Sequence, residues 1–124
     1  KPGSDPLVVY CEWTAENATS AIDQFLQWEQ QTFEQNVKLP KAVRQAACDL
    51  RKDDTAKNEI VRLRDLTKQY QTDKSAANGQ KARAAANFLL ATANSVLGHM
   101  GLPPLNPPQL TTATDLMTNA PPQN

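Results

Sequence analysis

The side chains best suited to acid–base, nucleophilic or metal chemistry in this 124-residue chain are few: one histidine, two cysteines and 13 carboxylates. A serine or cysteine nucleophile needs a histidine base, and His99 is the sole candidate. It stands in Gly98-His99-Met100-Gly101, at the end of a helical pattern, where an imidazolium would favourably meet the helix C-terminal dipole. No carboxylate falls in a Glu-x-x-His arrangement, and Gly3, Gly79, Gly98 and Gly101 form neither a P-loop nor a dinucleotide fingerprint. Neither an enzyme, a metal centre nor a cofactor is expected. Asn17-Ala18-Thr19 matches a glycosylation acceptor, but it lies inside a helical pattern and is discounted.

Cys11 and Cys48 are the only cysteines; with one histidine and no second pair they do not make a zinc site, and there is no C-x-x-C redox pair. One disulfide is expected, tying the start of the first helix to the end of the second. In the chain-entropy account that closure is worth about 4 kcal/mol. It would place the protein in an oxidising compartment: periplasm, lumen or extracellular space. Two free thiols in a cytosolic protein are the alternative. No apolar run approaches the roughly 18–20 residues that span a bilayer. No signal-peptide pattern is seen, and the start at Lys1 suits a processed or trimmed chain.

Thirteen basic and 13 acidic residues balance, but unevenly. Residues 1–38 carry two basic and six acidic groups, net −4, whereas residues 41–83 carry eleven and six, net +5. Such a split can steer a partner, or the two faces can attract each other within the fold. Arg44, Arg51, Lys52, Arg62, Arg64 and Lys68 suggest a basic stripe. Asp49, Asp53, Asp54, Glu59 and Asp65 interleave with it, and only seven residues are aromatic, so nucleic-acid binding is not expected.

The elements holding these groups read as helices, in an all-α, up-down-up-down four-helix bundle with a proline-rich C-terminal extension. Residues 1–12 are expected to be a flexible arm, with Leu7–Tyr10 the one candidate strand. Helix one runs from Thr14 to Gln35, its inner line being Ala18, Ile22, Phe25, Leu26, Glu29 and Phe33. Trp28 lies off that line, as core packing or as a partner anchor. Helix two starts at Pro40 and turns Val43, Ala46, Ala47 and Leu50 inward. Asp53 and Asp54 suggest a break, either able to cap helix three, which buries Ala56, Ile60, Leu63, Leu66 and Tyr70. Helix four, Ala76–Gly101, is the most apolar, with Ala82, Ala86, Leu89, Ala93, Val96, Leu97 and Met100 in register; Gly101 and Pro103 stop it. The bundle spans residues 13–101. Residues 102–124 form a proline-rich strap, a short helix and a disordered end. Leu102, Leu105, Leu110, Leu116 and Met117 there, together with His99, join Trp28 as partner-binding candidates, unless the strap folds back to close the core.

The run Ala91–Met100, followed by Pro104-Leu105-Asn106-Pro107-Pro108-Gln109-Leu110, resembles the third helix and following turn of a family of small lumenal photosystem II assembly and repair factors. Ile60–Tyr70-Gln71-Thr72-Asp73 resembles that family's second helix and its exit. The resemblance covers about residues 60–110. It implies a non-catalytic bundle in the thylakoid lumen, docking on photosystem II subunits. The residues themselves support a non-enzymatic accessory or binding subunit of a larger assembly, the expected partner being a protein or a membrane complex. The alternative is a periplasmic or secreted helical binding protein: a hydrophobic small-molecule binder, a chaperone-like protein, or an effector or immunity protein.

Overall fold

The structure is a computed structural model, and it describes residues 5–109. These are helical throughout their ordered elements, in the order α1 (Pro6–Glu34), α2 (Lys41–Arg51), a 3-10 turn (Lys52–Asp54), α3 (Thr55–Thr72) and α4 (Ala76–His99).

Helix α1 begins eight residues earlier than Thr14, and the expected strand Leu7–Tyr10 lies at its start. The Asp5 side chain accepts the Leu7 N–H at 2.8 Å, capping the helix, and Pro6 occupies the first turn, where no N–H is needed. The same Asp-Pro pair that reads as a loop is therefore a start signal. Leu7, Val8, Tyr10 and Cys11 are buried, so residues 6–12 of the expected arm are helix packed against the bundle.

The long packing helices are three, not four. Leu7 lies beside Gly79, the Tyr10 hydroxyl donates to Asn87 Oδ1 at 2.6 Å, and Phe25 stacks on His99. Residues ascending α1 therefore meet residues ascending α4, and the two helices run parallel. Tyr70, near the end of α3, meets Asp5 at the start of α1, so α3 runs antiparallel to both. In an up-down-up-down bundle the first and last helices would be antiparallel. Here the path is up, down, up, and α2 is not a strut. At 11 residues it is about 16 Å long, against about 44 Å for α1. It buries only Val43 and Ala47 fully, with Ala46 and Leu50 partly buried, and it folds back over the last turns of α1.

Periodicity places the core well. Ala82, Ala86, Leu89, Ala93, Val96 and Leu97 of α4 are all buried, as are Ala56, Leu63 and Leu66 of α3 and Ala18, Ile22 and Phe25 of α1. The alanines of α4 let α1 and α3 approach closely. A Cβ on Gly79 would stand 3.2 Å from Tyr70 Cε1, so a larger residue there would push the ring by a few tenths of an ångström.

The paired aspartates do break the chain, though not by capping. Asp53 and Asp54 both adopt left-handed backbone conformations (φ 53° each), and α3 has no side-chain cap. The turn is held instead by the Thr55 hydroxyl donating to the Lys52 carbonyl and by the Asn58 amide donating to the Asp53 carbonyl. Asp tolerates this region better than most residues, which explains two of them in sequence.

The end of α4 is a Schellman turn. Gly101 has φ 76°, Leu102 N–H donates to the Leu97 carbonyl at 2.9 Å, and Gly101 N–H donates to the Gly98 carbonyl at 3.0 Å. Beyond it the strap turns back along α4, where the Leu105 N–H donates to Asn94 Oδ1 at 2.8 Å.

Candidate functional site

The two thiols lie at opposite ends of the bundle. Cys11 is buried, its Sγ 3.7 Å from the Ala82 carbonyl oxygen, whereas Cys48 is exposed on α2 and shares a cleft with Glu29. The rise from residue 11 to residue 29 along α1 is about 27 Å. A disulfide needs Cα atoms within about 7 Å. The expected Cys11–Cys48 bridge does not form: the cysteines are free, and the inference of an oxidising compartment loses the pairing on which it rested. Burial pushes the Cys11 thiol up to about 11, so it is protonated and unreactive at neutral pH.

His99 is half-buried with its ring 5.9 Å from that of Phe25, at a tilt of 32°. Trp28 packs against the same phenylalanine, 6.0 Å between ring centres. Both partner-binding candidates thus close the upper end of the core around Phe25, which is fully buried. Leu102 is exposed, while Leu105 is half-buried against the core; Leu110, Leu116 and Met117 lie outside the described residues. Asn17 donates its side-chain amide to the Trp13 carbonyl at 2.8 Å, an interaction internal to α1. Among the described residues no group of three His, Cys, Asp or Glu side chains converges as metal ligands would. No helix among them is long and apolar enough to cross a membrane.

What sequence periodicity missed is a cleft of about 960 Å³ between the last turns of α1 and the face of α2. Its α2 wall is Lys41, Arg44, Cys48 and Arg51, spaced i, i+3, i+7, i+10, which is one side of a helix. Val43 and Ala47 lie about 100° around the helix from it, on the buried side. The α1 wall is Glu29, Gln30 and Phe33, and the turn residues Lys38 and Leu39 close one end. Phe33 falls on the apolar line of α1 but is 63% exposed, because α1 extends beyond α3 and α4 at this end. Val37, in a smaller recess of about 220 Å³ that also takes in Phe33 and Leu39, is 53% exposed.

One ion pair fixes the walls. Arg51 Nη1 meets Glu29 Oε1 at 2.8 Å, and Nη2 donates to the Leu26 carbonyl at 2.9 Å. This accounts for Glu29, the one charge on an apolar line: its side chain is 10% exposed and is neutralised from α2. Lys38, Lys41 and Arg44 make no ion pair among the described residues. The cleft therefore presents three unpaired cations around an aromatic and aliphatic floor. The signal in sequence was the four-residue stripe on α2 together with the overrun of Phe33.

At the opposite end, Asp5 accepts from the Tyr70 hydroxyl at 2.8 Å and pairs with Lys74 at 3.2 Å. Desolvation pushes its carboxyl up, but the hydrogen bonds from Tyr70, the Leu7 N–H and Lys74 outweigh it, and the net shift is downward. Burial also raises the Tyr10 hydroxyl and the Glu59 carboxyl, whose Oε1 has no hydrogen-bond partner.

Comparison with protein-family models, curated proteins and solved structures found no match to this chain.

Proposed function

We propose that this helical bundle is a non-catalytic binding protein, an accessory subunit that docks a protein partner in the cleft between α1 and α2. One observation carries the reading: the cleft and the smaller recess beside it join exposed Phe33 and Val37 to Lys38, Lys41 and Arg44, which make no ion pair among the described residues, on a surface where Glu29–Arg51 ties α1 to α2. Interfaces concentrate aromatic and arginine side chains such as Phe33 and Arg44. The strap is the weaker docking element, since Leu105 turns inward and its backbone is bound to Asn94. A lumenal photosystem II subunit is the partner that the resemblance over residues 60–110 implies.

Cys48 supplies the test, being the exposed thiol in the cleft. A photo-cross-linker attached there and activated in an extract of the native source should join the protein to one partner. Phe33→Asp, at an exposed position, should abolish that product while leaving the helical fold intact. A product undiminished by Phe33→Asp, or a complex that forms with no cross-link from Cys48, overturns the reading.

A further inference from the structure

We infer that the occupant of the α1–α2 cleft is an acidic amphipathic segment of the partner protein, carrying two carboxylates one helical turn apart beside an apolar anchor. This rests on the docking reading above and specifies its chemistry. The cations Lys41 and Arg44 stand three residues apart on α2, a rise of about 4.5 Å, which matches carboxylates at i and i+3 or i+4 on a second helix. Lys38 stands at the closed end, reached by the same segment. Facing these charges are Phe33 on the α1 wall and Leu39 in the turn, an apolar surface that asks for an aliphatic or aromatic side chain. Arg51 is not available to the partner, because Glu29 and the Leu26 carbonyl hold it.

Charge complementarity selects this occupant over its rivals. A basic segment would meet three unpaired cations, and like-charge juxtaposition is strongly disfavoured. A phosphate-rich surface would gain from the cations, but it would leave Phe33 and Val37 in water. The excess of acidic groups on residues 1–38 does not fill the cleft: Glu29 is its one acidic lining residue, and Arg51 neutralises it.

The test is selection from a random 16-residue peptide display library on the full-length protein, with counter-selection on Lys41→Glu/Arg44→Glu. Enriched peptides should carry acidic residues three or four apart around an apolar residue. Measured by fluorescence anisotropy, they should bind about tenfold more weakly to the double variant and to Phe33→Asp, and more weakly as salt is raised from low to high concentration. Basic peptides should gain affinity for the double variant. Circular dichroism verifies that each variant keeps its helices. Enrichment of basic or uncharged sequences, or acidic peptides indifferent to both variants, overturns the inference. So does binding of phosphatidylglycerol vesicles or poly(U) that depends on Lys41 and Arg44 without an acidic peptide consensus, which would assign the cleft to a membrane or a nucleic acid. A cross-link from Cys48 to residues 110–124 of the same chain would assign it to the protein's own tail. A partner cross-linked through Cys48 by a basic segment overturns the acidic assignment alone; no cross-linked partner overturns the docking reading.

Discussion

Asp5 offers the sharpest energetic test of how the chain starts. Its carboxylate caps α1 through the Leu7 N–H, accepts from the Tyr70 hydroxyl, and pairs with Lys74. The cap is worth about 1 kcal/mol. A hydrogen bond to a charged group is worth about 1.5–3 kcal/mol, and the lower end applies here because the carboxylate keeps some solvent contact, at 19% exposed. The Lys74 ammonium is 51% exposed, so that pair adds well under about 1 kcal/mol. Asp5→Ala should therefore cost about 2–3 kcal/mol in urea unfolding and lower Tm by about 10 °C. Asp5→Asn keeps the cap through its amide oxygen, but its NH2 replaces the oxygen that accepts from Tyr70 and pairs with Lys74, and it should cost about 1–2 kcal/mol. The folded pKa of Asp5 lies below its unfolded value, so its ionic contribution is complete above about pH 4 and is lost as pH falls through the folded value. The gap between wild type and Asp5→Asn should hold from pH 7 to about pH 4 and shrink below that. If Asp5→Ala costs less than about 0.5 kcal/mol, or if the gap does not narrow in acid, residues 6–12 are the loose arm after all and the reasoning fails.

Native protein should take up one equivalent of a thiol reagent, at Cys48, and a second only on unfolding, with no mass change on reduction. Gly101→Ala places a side chain at φ 76° in the Schellman turn and should cost about 1 kcal/mol by thermal unfolding. Arg51→Ala leaves the Glu29 carboxylate buried and unpaired, and should cost about 1–3 kcal/mol. Adding Glu29→Gln should recover part of that loss in a double-mutant cycle; strict additivity would show that the pair does not fasten α2 to α1.

Local periodicity made much of the core legible. Every apolar position read for α4 from Ala82 to Leu97 is buried, because a 3.6-residue repeat needs no knowledge of partners. What failed depended on which ends of helices meet. The spacing of Cys11 and Cys48 carries no information on helix direction, and α2 closes the far end of α1 rather than standing beside its start. Pro6 was ambiguous between loop and helix start, and the decisive partner of Asp5, Tyr70, is 65 residues away. Glu29 looked like an exception on an apolar line for the same reason, since Arg51 arrives only with the fold. The cleft was half visible: the stripe Lys41, Arg44, Cys48, Arg51 is written in sequence, but Phe33 reads as core until the bundle proves to end below it.

Hydrogen–deuterium exchange, with and without the display-selected acidic peptide, tests the central claim most directly. Docking in the cleft predicts that slowed exchange appears over residues 29–51, the end of α1, the turn and α2, and not over the strap at 102–109. Protection confined to the strap or to α3, with residues 29–51 unchanged, would contradict it.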